Sequence, residues 1–289
     1  MALALFVTFL WSTSWVLIKL GLRDLAPLSF AGLRYVLAAL LLLPALALRP
    51  ADRAALRGMG PREWLELAGL GLVLYAVTQG AQFAALALLP AASVGIVLAF
   101  SPLAVAVASA PLLHERLERR QAAGLLLFLA GALLYFGAGA WPVGRAAGLA
   151  AALLALVANA AASILGRAVN RRGRLSPLAV TAVSMGLGSA ALLATGVAIE
   201  GLPRPTPAGW AILGWLAAVN TALAFTLWNR ALQRLTATES SLLNNTMLVQ
   251  VAVLAWLFLG ERLGGREITG LAVALAGVAL AQLRGRRPR

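Results

Sequence analysis

The sequence predicts an all-α integral membrane protein: ten transmembrane helices in two inverted five-helix repeats, with both termini in the cytoplasm. Three observations predict it. The 289 residues are 61% hydrophobic and only 12% charged, against about a quarter charged in a soluble domain, so too little polar surface remains to coat a water-soluble globule. Apolar runs of about 20 residues, enough for a helix to cross roughly 30 Å of hydrocarbon, recur along the whole chain with short connections. Finally, residues 112–135 and 258–281 carry the same Glu-Arg-Leu signature, 146 positions apart.

The runs fall at about 2–20, 28–48, 64–86, 92–113, 122–140, 145–165, 177–199, 209–229, 239–260 and 267–283. Pro27, Pro61, Pro142, Pro177 and Pro207 lie in the gaps or at helix starts, where a missing N–H costs nothing. The first run has no basic stretch ahead of it and no small-residue cleavage site behind it, so no cleaved leader is expected. The chain reads as a single membrane domain over 1–289.

The net charge of +14 is distributed with a direction. Counting from a cytoplasmic N-terminus, the inside connections hold Arg49, Arg53, Arg57, Arg62, Arg116, Arg119, Arg120, Arg167, Arg171, Arg172, Arg174, Arg230, Arg234 and the arginines of the tail. The outside connections hold Lys19, Arg23, Arg145, Arg204, Arg262 and Arg266, which leaves Arg34 within a helix. This is the positive-inside pattern of a membrane protein, and it argues against nucleic acid as a partner. Cysteine is absent, which removes thiol chemistry and Cys-based metal sites. No metal site and no cofactor is expected. The expected partners are a small-molecule substrate and membrane lipid, and the sequence leaves homo-oligomerisation open.

Shifted by 146 positions, Trp64 meets Trp210, Leu67 meets Leu213, Glu115-Arg116-Leu117 meets Glu261-Arg262-Leu263, Gly124 meets Gly270 and Gly131 meets Gly277. The expected repeats are 1–140 and 145–283. Because five is odd, the second copy must enter the membrane from the opposite side, the architecture by which many secondary transporters alternate access.

Residues 10 to 44, "LWSTSWVLIKLGLRDLAPLSFAGLRYVLAALLLLP", resemble the opening of EamA-type carriers of the drug/metabolite transporter superfamily. There a Trp-Gly-Ser-like element leads to an Ile-Lys pair, a Pro-containing loop and a helix with Leu-Arg-Tyr/Phe. Ser12 replaces the usual glycine. Gly260–Leu263, followed by "AGVALA", resembles the end of the second repeat of that family, and "LHERL" the first, with His114 where glycine is common. The resemblance spans essentially the whole chain. It implies a ten-helix carrier of small metabolites, amino acids or drugs, frequently an exporter.

Polar side chains within membrane spans mark candidate sites, because they face the bundle interior or a wet cavity. Tyr75, Thr78, Gln79 and Gln82 recur at i, i+3, i+4 and i+7 on the third span, one stripe with four polar groups, and are expected to line a cavity. Their partners at the repeat offset are Thr221, Ala224, Phe225 and Trp228, of which Thr221, Phe225 and Trp228 form an aromatic counterpart wall. On the ninth span, Asn244, Asn245 and Gln250 are pathway candidates, and Glu239 is the one carboxylate placed to couple transport to protons. Asn159 and Ser163 share a face of the sixth span, while Ser93, Ser101 and Pro102 mark the fourth. Trp11, Ser14 and Trp15 are candidates on the first span. Each group has a plainer reading as interhelical hydrogen bonding or packing.

Lys19 can simply snorkel to water, and Arg34 reads as a structural brace that needs an oxygen partner; both, with Ser93 and Glu239, are gating or coupling candidates. The glycines of the fifth and tenth spans read as close-packing surfaces, not phosphate loops. The expected function is a secondary transporter exporting small metabolites across the cytoplasmic membrane. The alternatives are a non-transporting scaffold, a channel or an intramembrane enzyme. The single histidine, His114, stands apart from any other catalytic group, which weighs against the last.

Overall fold

The structure, a computed structural model, describes residues 2–101, 104–105, 119–136, 143–232 and 237–282. Helices account for nearly all of them. They are α1 (Ala2–Gly21), α2 (Pro27–Ala47), α3 (Pro50–Arg57), α4 (Pro61–Leu88), α5 (Ala91–Leu98) and α6 (Arg119–Phe136), then α7 (Val143–Arg171), α8 (Pro177–Glu200), α9 (207–232), α10 (Ala237–Leu259) and α11 (Gly265–Gln282). Among the described residues α1, α2, α4, α8 and residues Arg145–Asn170 of α7 are long and apolar enough to cross a membrane. Shorter apolar stretches lie at Ala122–Tyr135, Pro207–Leu223 and Thr246–Leu259.

Proline opens α2, α3, α4, α8 and α9, the position at which its ring presets φ and no N–H is missed. Pro142 and Pro102 lie outside the described residues, as do His114, Glu115 and Gly137. The short helix α3 falls where the sequence reading had only a connection. Its signals are Pro50 at the start, Asp52 in the first turn and Arg57 in the last, charges that complement the helix dipole. Asp52 is buried and accepts from both the backbone N–H (2.9 Å) and the hydroxyl (2.7 Å) of Ser176, which caps α8. Those two bonds hold its carboxyl below the ordinary carboxylate pKa.

Two helices depart from regular α geometry. A π-helical turn interrupts α4 at Leu72–Thr78, and another interrupts α9 at Ala218–Leu223. In each a threonine hydroxyl donates to the carbonyl five residues back: Thr78 to Val73 at 2.7 Å, and Thr221 to Leu216 at 2.9 Å. A π turn rotates everything beyond it relative to a 3.6-residue repeat.

The tightest helix contacts are made by glycine. A Cβ on Gly131 of α6 would lie 2.7 Å from the Gly270 carbonyl of α11, and a Cβ on Gly277 would lie 2.7 Å from the Gly124 carbonyl. The glycines of the fifth and tenth spans therefore do bring two backbones together. The contact is reciprocal under the 146-residue shift, which carries Gly131 to Gly277 and Gly124 to Gly270. The α2–α8 pair is similarly close, with Gly32 against the Leu193 backbone and Gly196 against the Ser29 N–H. Among the described residues the core runs mainly between α1, α2, α4, α5 and α8–α10, with Phe30, Phe83, Ile96 and Leu216 fully buried.

Candidate functional site

A cavity of about 340 Å³ opens between α1, α5, α7 and α10. Trp15 forms one wall from α1. Gly95 and Leu98 of α5, with Ala99 just past it, form another, and Met247, Leu248 and Val251 a third from α10. The polar groups come from Ser101, just past α5, and from Asn159 and Ser163 on α7. The Asn159 amide N–H donates to the Ser101 hydroxyl at 3.1 Å, and that hydroxyl donates on to the Leu98 carbonyl at 2.7 Å. Ser163 donates to the Asn159 carbonyl at 2.8 Å. These bonds leave the Asn159 side-chain carbonyl as an acceptor beside an indole and an aliphatic wall. Such a mixture suits a small amphipathic solute. Of the predicted binding residues, Trp15 and Asn159 are on this wall; Leu248 lies one turn beyond Asn244 on α10. The side chains of Glu239, Asn244 and Asn245 lie outside what the structure describes.

The stripe predicted on α4 is not on this wall. Tyr75 and Thr78 are buried, and Gln79 and Gln82 are half-buried. The Tyr35 hydroxyl of α2 donates to Gln79 Oε1 at 2.7 Å, and its ring lies 5.5 Å from that of Tyr75. Tyr75 and Gln79 thus meet the same residue of α2, while the Thr78 hydroxyl turns back to the Val73 carbonyl of its own π turn.

The predicted wall on α9 divides in the same manner. Phe225 and Trp228 sit 5.4 and 5.1 Å from the ring of Trp11, forming the α1–α9 contact. Thr221 turns instead to Arg34, whose Nη2 donates to its hydroxyl at 3.4 Å. Arg34 is 5% exposed, and its guanidinium lies 5.0 Å from the Tyr35 ring and 5.9 Å from the Phe83 ring. The Arg34 Nε has no partner among the described residues. The oxygen partner expected for this brace is thus a hydroxyl, supplemented by two aromatic faces.

Gln250 joins α10 to α1. Its Oε1 accepts from Ser12 at 2.9 Å, and its Nε2 donates to Thr246 (3.1 Å) and Thr8 (3.3 Å). Ser14 donates to the Trp11 carbonyl within α1. Ser93, at the start of α5, is within 3.3 Å of the Tyr135 hydroxyl, and half-buried Lys19 lies in the field of Glu261.

The family's sequence model matches the chain twice, over residues 1–137 and 146–283, under the description EamA-like transporter family. The chain belongs to that family. It is a multi-pass transporter of the cell membrane. Among its relatives is a Salmonella typhimurium protein named "Probable amino-acid metabolite efflux pump", 27% identical over 96% of this chain and 92% of its own. Another is "Uncharacterized protein PA1977" of Pseudomonas aeruginosa, 32% identical over 92% of this chain and 88% of its own. A solved crystal structure shares the fold at TM-score 0.67, with 22% identity and 96% of each chain covered.

For an EamA-like chain, sequence reasoning missed Gly95, Ala99 and Met247 as cavity wall, since small and apolar residues carry no chemical signal. It also missed Asn220 on α9, which is fully buried and donates to the Leu10 carbonyl and, at 3.1 Å, to Thr13. An amide within an apolar run was the signal that could have found it.

Proposed function

We propose that this EamA-like protein is a secondary carrier that exports small metabolites, amino acids or related compounds, by alternating access around the α1–α5–α7–α10 cavity. The observation that carries the reading is that the cavity is built from both halves of the chain: α1 and α5 from the first, α7 and α10 from the second. A rocking of one half against the other would open it to either side. Ten spans, cytoplasmic termini and inverted halves over 1–140 and 145–283 belong to the same proposal. The reciprocal Gly131/Gly277 contact, the paired π turns and the charge bias support it. Trp15 offers an aromatic face and Asn159 a hydrogen-bond acceptor to the solute. Lys19, Arg34 and Ser93, which do not line this cavity, would act as gating residues, and Glu239 is the coupling candidate. No carboxylate among the described residues lines the cavity, so exchange or facilitated diffusion fits as well as proton coupling.

Counterflow of labelled amino acids into preloaded proteoliposomes tests this. Carrier function requires accumulation that depends on the internal solute. Accumulation that is absent for every solute pool, or ion conductance without counterflow, would sink it.

A further inference from the structure

Two concavities meet at Arg262 and Leu263, in the turn between α10 and α11. One is an apolar groove of about 400 Å³ on the outer surface of the bundle. Val249, Val253 and Trp256 of α10 and Ile268 and Leu271 of α11 line it. Trp256 is 59% exposed and Ile268 55% exposed, so the groove opens to the hydrocarbon that surrounds the protein. The other is a polar pocket of about 160 Å³, lined by Arg145, Arg262 and Arg266 with the buried hydroxyls of Ser93 and Tyr135.

The pocket also contains two acids, and both are engaged by backbone. Glu261 accepts from the Ala91 and Ala92 N–H groups at 2.8 and 3.4 Å, and Glu267 accepts from the Gly264 N–H. Among the described residues no ion pair joins Arg145, Arg262 or Arg266 to a carboxylate. The ion pairs present are those of Arg62, Arg172 and Arg174 with Glu63 and Glu66, on other elements. Three guanidinium groups thus gather with two carboxylates at one end of a hydrocarbon-facing groove, a net positive pocket whose arginine N–H groups are not tied up in ion pairs among the described residues.

The shape selects among anions. A free phosphate or carboxylate would use the polar pocket and leave the groove idle. A molecule with an anionic head and a long apolar tail uses both, with the head against the arginines and the tail along Trp256 and Ile268. Basic pockets between membrane helices hold anionic head groups on the cytoplasmic side, and the same charge chemistry applies to this pocket in the other leaflet. We propose that this double concavity binds one anionic phospholipid, drawn from the leaflet that meets the 260–264 turn. Its phosphate rests on Arg262 and Arg266, and an acyl chain lies in the α10–α11 groove. The lipid would lie against the turn whose Glu261 holds the start of α5, a wall of the transport cavity. The inference rests on membrane residence alone and goes beyond the carrier reading.

The test uses the full chain in phosphatidylcholine nanodiscs with increasing phosphatidylglycerol, read by native mass spectrometry and by the thermal midpoint. The wild type is expected to retain one phosphatidylglycerol in preference to phosphatidylcholine and to gain stability as it binds. Arg262→Gln with Arg266→Gln should weaken that binding by about fivefold per arginine removed. Trp256→Ala should weaken it too, while Arg204→Gln, an exposed arginine away from the groove, should not. Arg266→Gln alone serves if the double variant does not reconstitute. No preference for phosphatidylglycerol, or full binding by the arginine variants, overturns the proposal. So does equal stabilisation by inorganic phosphate in phosphatidylcholine discs, which would mark a site for a soluble anion. None of these readouts depends on transport, so their failure leaves the carrier proposal standing.

Discussion

The α6–α11 and α1–α10 interfaces hold helices together by opposite means. Between α6 and α11 the contact is backbone on backbone at Gly131, Gly270 and Gly277, with no room for a methyl group. Between α1 and α10 it is a set of exchangeable polar bonds: Ser12 donates to the Gln250 Oε1, and the Gln250 Nε2 donates across to Thr8 and, within α10, to Thr246. The first can only be kept or broken. The second can re-pair after a small slide, and it stands beside the cavity wall formed by Trp15, Leu248 and Val251. The difference teaches where movement would be inexpensive: under the carrier proposal, α6–α11 would be the clamp, and the bundle of α1, α5, α7 and α10 the working part.

The comparison is broken most severely by placing bulk in the clamp. Gly131→Leu forces a side chain against the Gly270 carbonyl and should destabilise by about 3 kcal/mol or more. Thermal unfolding of the detergent-solubilised protein would show it, and a midpoint within a degree or two of wild type would dismiss the clamp. Next comes the working part. Asn159→Leu and Trp15→Ala should each lower counterflow about tenfold or more while the protein still folds, since a lost hydrogen-bond or stacking partner is worth roughly 1–3 kcal/mol. Unchanged counterflow in both would move the site elsewhere.

Gln250→Leu sharpens the contrast. Interhelical hydrogen bonds in membranes are worth about 0.6 kcal/mol on average, so stability should fall by only about 1 kcal/mol. A loss as large as that of Gly131→Leu would make both interfaces clamps. The smallest effect lies outside the bundle, at Asp52. Its carboxyl is held below the ordinary value of 3.8 by the two Ser176 bonds. Its contribution is therefore complete above that value and is lost as pH falls through the depressed pKa. Asp52→Asn should flatten the acid limb of the stability profile below about pH 4 and leave the neutral region within about 1 kcal/mol of wild type. A variant whose acid limb matches the wild type would dissociate that limb from Asp52.

Much of the clamp was legible in the sequence, because a glycine at repeat-related positions of two apolar runs has few uses besides close approach. Trp15 and Asn159 were legible too, as polar or amphipathic groups deep in apolar spans. The α4 stripe follows an even helical period, and the π turn at Leu72–Thr78 is a departure from that period that the sequence does not show. Nothing local in "LVLYAVT" announces it. It begins where α4 comes closest to α8, at Gly71 against Gly188. Tyr35 and Arg34 were visible as neighbours, yet their division between Gln79 on α4 and Thr221 on α9 depends on two such turns at once. The walls at Gly95, Ala99 and Met247 were not legible, since their contribution is shape and not chemistry.

The central claim is that one cavity is reached alternately from the two sides of the membrane. The chain contains no cysteine, so Ser163→Cys introduces a single reporter on the cavity wall. Labelling it with a membrane-impermeant thiol reagent, applied to one face or the other of oriented vesicles, measures access directly. The account predicts labelling from either face, with transported solute slowing it and shifting the balance between faces. Labelling from one face only, whatever the solute, would contradict it.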